Sequence, residues 1–238
     1  MKNPFEKYNS LSLDQVYDEF YKEYENDPTL FNHRSYIEHN NLGFGERPFH
    51  TIWRELVLEL PNNFKFLEIG VYKGQVLSLV KLLSDNKNKV IDYVGVTPLN
   101  NSGDKFSNYD SVNYEKVITE LFNHFNLEFD VTKNIINGLS TDENVKTKVR
   151  DLGPFDLIYI DGGHDYECVV SDIHLMYDVS KNGTYVVFDD SSCYKDLGGN
   201  KFKGHIDVCN AIKDNLENND DFIELICVGH NRVFKKIK

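Results

Sequence analysis

From residue 64 to the C-terminus, short and nearly unbroken apolar runs alternate with helical periods, and this alternation constrains the fold more than any other feature. Strands are predicted at 65–69, 90–96, 131–136, 156–160, 184–188, 222–228 and 231–236, and helices at 74–84, 112–125, 141–150, 165–179 and 204–217. An apolar strand without polar alternation has to be covered on both faces. The pattern therefore implies an α/β fold, a mostly parallel sheet between two helical layers. Only Gly229-His230 separates the last two strands, which is too short for a crossover, so they must form an antiparallel hairpin. Upstream, residues 13–26 carry Leu13, Val16, Tyr17, Phe20 and Tyr24 on one helical stripe. Residues 27–46 are polar and rich in Asn and Gly and read as a loop, and residues 47–60 return to a helical period with Pro48 in the first turn. The expected division is an N-terminal helical extension, 1–60, serving as a lid or an oligomer contact, and an α/β domain, 61–238.

Ligands of open α/β sheets bind at the carboxyl ends of the strands, so those ends hold the candidate site. FKFLEIGVYKG ends a strand in Glu68 and turns through Gly70, Tyr72 and Gly74 into a helix. The G-x-x-x-G spacing is not the pyrophosphate-binding G-x-G-x-x-G, and no Walker lysine is present. Such a turn suits a nucleoside without a phosphate clamp. S-adenosylmethionine is one, and Glu68 would favour its amino group and sulfonium. By itself the motif is weak, and an ordinary tight βα turn is the alternative.

Two further strands end in acids, as FDLIYIDGGH and YVVFDDSS. They place Asp161, Asp189 and Asp190 on the same rim as Glu68, with His164 three residues beyond Asp161. Neighbouring strands lie about 5 Å apart, so these carboxylates can converge on one cation. All-oxygen ligation points to Mg²⁺, Mn²⁺ or Ca²⁺ rather than zinc. Alone, an Asp-Asp pair after a strand caps a turn or helix, and so does a lone His164. His205 lies beyond the third motif and could reach the rim, while most of the other histidines read as surface or packing residues. Residues 97–111 form a long loop at the same edge, a candidate substrate or cofactor loop.

Composition narrows the partners. Lys and Arg number 26 against 38 Asp and Glu, a net charge of −12, which disfavours a general hold on nucleic acid. No apolar run spans a membrane, and the N-terminus lacks a signal-peptide core. Cys168, Cys193, Cys209 and Cys227 form no CxxC pair and read as reduced thiols of a cytosolic protein.

From 64 onward the chain resembles the class I S-adenosylmethionine-dependent methyltransferases. FLEIGVYKG is similar to the first motif of that family. The terminal hairpin is similar to its reversed last strand, which implies a Rossmann-like seven-stranded sheet of order 3-2-1-4-5-7-6. DLIYIDGGHDYECVVSDI followed by GTYVVFDDS resembles the metal-dependent macrolide-sugar O-methyltransferases and the cephalosporin hydroxylase-like group. The resemblance implies cofactor contacts from Glu68, Gly70, Tyr72, Gly74, Thr97, Ser140 and Asp161, with Ser140 on the adenine side. It implies Mg²⁺ or Mn²⁺ on Asp161, Asp189 and Asp190, and catalysis by His164 with Asp161. The family usually ends its second strand in an acid that binds the ribose hydroxyls, and this chain has Thr97 there, with Asp104 as a substitute.

The implied activity is O-methyl transfer to a hydroxyl of a sugar or other small molecule, by a cytoplasmic enzyme that is monomeric or homo-oligomeric. The rival readings are metal-free methylation of a catechol-like, lipid or protein acceptor, and a cofactor-binding module without catalysis.

Overall fold

A computed structural model describes residues 3–106, 110–199 and 201–238. The chain runs α1 (Leu13–Asn26), α2 (Pro28–His39), α3 (Phe49–Glu59), β1 (Asn63–Ile69), α4 (Gln75–Asn86), β2 (Val90–Thr97), α5 (Tyr114–His124), α6 (Val131–Asn134) and β3 (Ile135–Asn137). It continues with α7 (Glu143–Leu152), β4 (Phe155–Ile160), α8 (Tyr166–Val179), β5 (Ser180–Phe188), α9 (Ile206–Ile212), β6 (Phe222–Val228) and β7 (Asn231–Lys236).

The strands form one seven-stranded sheet in the order β3-β2-β1-β4-β5-β7-β6. β7 runs antiparallel to both its neighbours, and the pairs among β1 to β5 are parallel. The continuous apolar strands are explained by the two cores they feed. Phe64, Phe66, Leu157, Tyr159 and Val187 point into one, and Leu67, Ile69, Ile158, Ile160 and Phe188 into the other. α7, α8 and α9 cover the second face.

The N-terminal segment shares the first core. Phe20, Leu30, Ile52 and Trp53 are fully buried in the same cluster as the sheet residues. The Trp53 ring lies 5.0 Å from that of Tyr159 on β4 and 6.1 Å from that of Phe66 on β1. The helices of the extension thus complete one of the two layers.

Three expectations are corrected. Residues 27–46 are not all loop: α2 occupies 28–39, started by Asp27, whose carboxylate accepts from the backbone N–H of Thr29 (2.9 Å) and Leu30. Its buried stripe of Leu30, His33, Arg34 and Ile37 contains two polar residues, which hid the period. Residues 131–136 are not one strand, because Asp130 caps a single helical turn before β3 begins at Ile135. The helix at 204–217 is α9 followed by a π turn, Lys213–Glu217. Ser107, Asn108 and Tyr109 of the expected 97–111 loop lie outside the described residues. No helix among the described residues is long and apolar enough to cross a membrane.

The thiol expectation also changes. Cys193 and Cys209 form a disulfide with Cα atoms 5.9 Å apart, while Cys168 and Cys227 are free. The pairing depends on the segment after β5 folding back onto α9, and a separation of 16 residues cannot reveal that.

A buried polar chain ties α2 and α3 to α4. His33 Nδ1 lies 3.2 Å from His50 Nε2, and His33 Nε2 lies 3.0 Å from the Ser78 hydroxyl. Burial, then the Arg34 charge, lowers His33 to about 3, and burial also pushes His50 well down. An unfolded histidine titrates near 6.5, so below that pH the unfolded chain binds protons that the folded chain does not. Stability is therefore complete above about pH 6.5 and falls on acidification, by at most about 1.4 kcal/mol per pH unit for each histidine. Urea unfolding between pH 7 and 4 should show this loss, and His50→Gln should make it shallower by about one proton. An unchanged slope would mean that His50 charges without unfolding.

Candidate active site

The carboxyl ends of β1, β2, β4 and β5 open into a cavity of about 930 Å³, a volume suited to a nucleoside-sized ligand with room beside it. Backbone hydrogen bonds set the ends in register. Gly70 N–H donates to the Val96 carbonyl (3.0 Å), Asp161 N–H to Ile69 (2.8 Å) and Asp189 N–H to Ile160 (3.1 Å). Glu68, Gly70, Tyr72, Thr97, Ser140 and Asp161, proposed from sequence as cofactor contacts, all line this cavity. Gly74 does not. It starts α4 at φ 91°, against Ile118 of α5.

Gly70 is required on backbone grounds alone. At φ 96°, a Cβ there would stand 1.8 Å from the Asp161 carbonyl oxygen. Gly204 repeats the arrangement at φ 102°, its Cβ position 2.0 Å from the Asp190 carbonyl oxygen. Two glycines thus let neighbouring backbone press against two of the acidic residues, and the second was not apparent from the sequence.

At the near end of the cavity Glu68 is 2% exposed, and its Oε2 is buried without a hydrogen-bond partner. Burial pushes this carboxyl well above the usual range. An unpartnered buried acceptor in a cofactor-sized cavity fits a ligand that brings a positive charge or donors. Thr97, 7% exposed, ends β2 beside it.

At the far end Asp161, Asp189, Asp190, His164, His205 and His230 converge on the same cavity. The Tyr159 hydroxyl bridges Asp161 Oδ2 (3.0 Å) and Asp189 Oδ2 (3.2 Å). Asp104 orients His164: one carboxylate oxygen accepts from the His164 backbone N–H (2.9 Å) and lies 2.6 Å from its Nδ1. That leaves His164 Nε2 facing Asp190 Oδ2 at 3.2 Å. Burial opposes charge on His164, but Asp190 and Asp104 outweigh it and raise it to about 8. The hydrogen bonds from His164 likewise outweigh burial at Asp104 and lower it to about 2. Asp104 thus pairs with His164 in this structure.

Two histidines join the acids from elsewhere in the chain. His205 Nε2 lies 3.3 Å from Asp190 Oδ2. His205 is held there because its N–H donates to the Asp190 carbonyl (3.0 Å) and Ser191 pairs with Gly204. His230 occupies the β6–β7 turn, with Nε2 3.1 Å from Asp189 Oδ1. Its carbonyl accepts from Ser191 N–H (2.8 Å), next to Asp190. Burial would lower His230, but Asp189 outweighs it and raises it to about 9. His205 carried a weak sequence signal, His230 was read with the packing histidines, and Tyr159 was not singled out.

The acids expected to hold a metal lie in one corner, with histidines among them. Among the described residues, two groups have ligand atoms within 4.8 Å of one another: His164, Asp190 and His205, and Asp189, Asp190 and His230. Asp161 is in neither group, and the Tyr159 hydroxyl links its carboxylate to that of Asp189. The fit to a cation rests on the acidic pair: Asp189 and Asp190 are both largely buried and face the same cavity, with only histidine side chains as their ion-pair partners among the described residues.

A family model described as a methyltransferase domain matches residues 67–191, which include all three strand-end motifs. An uncharacterized protein of Acanthamoeba polyphaga mimivirus is 30% identical over 167 residues, which cover 67% of this chain and 66% of that protein. Among solved structures, an O-methyltransferase from Bacillus cereus in complex with SAH is similar with a TM-score of 0.57 at 15% identity, covering 89% of this chain and 91% of that one. The TDP-rhamnose 3′-O-methyltransferase of calicheamicin biosynthesis is similar with a TM-score of 0.54 at 15% identity, covering 93% of each chain. At this identity the structural likenesses carry the fold.

Burial, then the charges of Asp189 and Asp190, push Asp161 well above the usual carboxylate range. An unfolded aspartate titrates near 3.9, so this group's stabilising contribution is full below that pH and is lost as pH rises through the raised folded value. At pH 7 it is a net cost. Asp161→Asn removes the charge and keeps an acceptor for Tyr159. It should raise Tm at pH 7, by about 2–4 °C per kcal/mol, in buffer free of metal and cofactor. A lower Tm by calorimetry would mean that the ionised form is compensated in the fold.

Proposed function

The chain belongs to the methyltransferase-domain family, and from that premise we propose that it methylates a hydroxyl of a sugar or sugar-containing small molecule, using S-adenosylmethionine with divalent-metal assistance. The observation that carries this reading is the Asp104–His164 pair. It aims Nε2 of an oriented imidazole at the acidic corner of the same cavity that holds Glu68 at its other end.

Glu68 and the 68–74 turn would hold the amino and sulfonium end of the cofactor, with Thr97 and Ser140 on the nucleoside side. When bound, the cofactor supplies an electrophilic methyl group. Residues 43–46 of the N-terminal segment also line the cavity, which supports a lid role for that segment. Arg34 fixes this stretch by donating to the carbonyls of Phe44 (2.8 Å) and Gly45 (2.7 Å).

Asp189 and Asp190 would hold the cation, which when bound lowers the pKa of an acceptor hydroxyl and orients it. With the Asp190 charge taken up by the cation, His164 Nε2 would lose the partner that raises it and would take the proton from that hydroxyl, while Asp104 keeps Nδ1 protonated and the ring in place. Confining the acceptor oxygen and the methyl donor in one cavity supplies much of the acceleration. The acceptor side is walled by aromatic rings. Phe106 lies 4.2 Å from His205 between ring centres, and Phe202 lies 5.5 Å from His205. Half-exposed rings of this kind suit the apolar face of a sugar. They also suit a planar catechol-like acceptor, which is the second reading. The likeness to a TDP-rhamnose methyltransferase supports the first. The acidic cavity and the net charge of −12 support a small acceptor over nucleic acid.

Incubation with methyl-labelled cofactor and a panel of nucleotide-linked sugars and catechols, read by mass spectrometry, should show label on a sugar hydroxyl. Chelator should abolish turnover, and His164→Ala should lower kcat by about 10²–10⁴. Full activity in chelator would reject the metal, and label confined to catechols would favour the second reading. Thr97→Asp should tighten S-adenosylhomocysteine binding by about tenfold, the effect of one charge-assisted hydrogen bond. Unchanged or weaker binding by calorimetry would place the ribose elsewhere.

A further inference from the structure

His230 lies outside every acidic motif, yet it occupies the corner that the acidic pair defines. We propose that His230 Nε2 is a ligand of the divalent-ion site with Asp189 and Asp190, and that it shifts the preference of the site from Mg²⁺ toward first-row transition-metal ions such as Co²⁺, Ni²⁺ or Zn²⁺. This rests on the metal reading proposed above.

The spacing suits shared ligation. His230 Nε2 is 3.1 Å from Asp189 Oδ1 and 4.0 Å from Asp190 Oδ1. Two ligands about 2.1 Å from one ion and at right angles to each other stand about 3 Å apart. The corner also holds an unpartnered polar atom. The His230 side chain is 6% exposed and its Nδ1 makes no hydrogen bond, while its Nε2 faces Asp189 Oδ1 as an ion-pair partner. A buried imidazole nitrogen left in this state is costly unless a further group completes it.

The far side of the ring is arranged for the same role. An imidazole ligating through Nε2 carries its proton on Nδ1, and a carboxylate commonly lies beyond it. Glu46 Oε2 stands 3.8 Å from His230 Nδ1, on the stretch of the N-terminal segment that lines the cavity. The turn itself is fixed, since His230 lies between β6 and β7 and its carbonyl takes the N–H of Ser191. His164 and His205 do not compete for this role, because they face the other oxygen of Asp190, Oδ2, on the side where Phe106 packs. Carboxylate and water alone suit Mg²⁺, and an added imidazole favours the transition metals.

Titration calorimetry of the metal-free full chain with CoCl₂ and with MgCl₂ tests the assignment. His230→Gln should weaken Co²⁺ binding at least tenfold, change Mg²⁺ binding less than threefold, and shift the visible absorption of bound Co²⁺. Asp190→Asn should weaken both ions. An unchanged ratio of Co²⁺ to Mg²⁺ affinity in His230→Gln overturns the nitrogen ligand while leaving the metal site intact. Tighter binding of both ions also overturns it, since His230 would then be an imidazolium competing with the metal. Binding of neither ion by the unsubstituted protein overturns the metal reading and this assignment with it. Should His230→Gln not fold, pulsed EPR of Mn²⁺-loaded protein decides. A ¹⁴N coupling that survives in His164→Ala and in His205→Ala supports ligation, and absence of ¹⁴N coupling in the unsubstituted protein overturns it.

Discussion

Gathering Glu68, Asp161, Asp189 and Asp190 at one edge of a buried sheet is the electrostatic demand that the surrounding structure answers. Each acid loses water, and three of them lie close enough for their charges to repel. The two ends of the cavity meet this differently. Glu68 is left without a compensating charge and driven toward its neutral form. In the acidic corner, His230 draws Asp189 below the usual range in spite of burial, Tyr159 bridges Asp161 and Asp189, and His164 and His205 face Asp190. A binding cavity that keeps unpaired acceptors gives up stability that a ligand with matching charge can restore, which couples occupancy to folding.

The fold supplies this corner through backbone contacts more than through side-chain packing. Parallel pairing aligns the ends of β1, β4 and β5, so that acids separated by more than a hundred residues share an edge. The reversed β7 brings a turn, rather than a strand end with a crossover, to the same edge, and that turn carries His230. Gly204 allows the following segment to lie directly on Asp190, where the Cys193–Cys209 disulfide ties it to α9. Opposite, the His50–His33–Ser78 chain fastens the N-terminal helices to α4, the helix that begins at the 68–74 turn. The N-terminal segment is thereby part of the layer that backs the cavity, and its stretch 43–46 forms part of the wall.

What could be read in the sequence was local. A strand, its terminal acid and the following glycine are contiguous, so the hairpin and the shared rim of Glu68, Asp161, Asp189 and Asp190 followed from short windows, while the sheet order came with the family resemblance. α2 escaped because His33 and Arg34 occupy its buried stripe, and an apolar count sees a polar stretch there. His230 escaped because its position depends on which strand pairs with β5, and the disulfide because it depends on a loop folding back. Asp104 was noticed as an acid near the rim, but its pairing with His164 was not. Nothing in its own window shows that His164, 60 residues away, would close on it. The constraint that the Asp161 carbonyl places on Gly70 is a contact between two strand ends that neither window contains.

This division has a consequence for how such a site could change its acceptor. The groups assigned to chemistry sit on strand ends, on a two-residue turn and against paired backbone, where small shifts are costly. The rings that face the acceptor side sit on connections: Phe106 in the segment between β2 and α5, Phe202 in the segment between β5 and α9. Both are about half exposed and make few demands on the core, so replacing them alters the wall without altering the carboxylates. His205 lies at the boundary between the two sets, since its backbone is fixed by Asp190 while its ring packs against Phe106. The aromatic wall and the acidic corner therefore meet at the histidines, with Phe106 packed against His164 and His205 and Phe202 against His205 and His230, so a change of wall there is also a change beside the acidic pair.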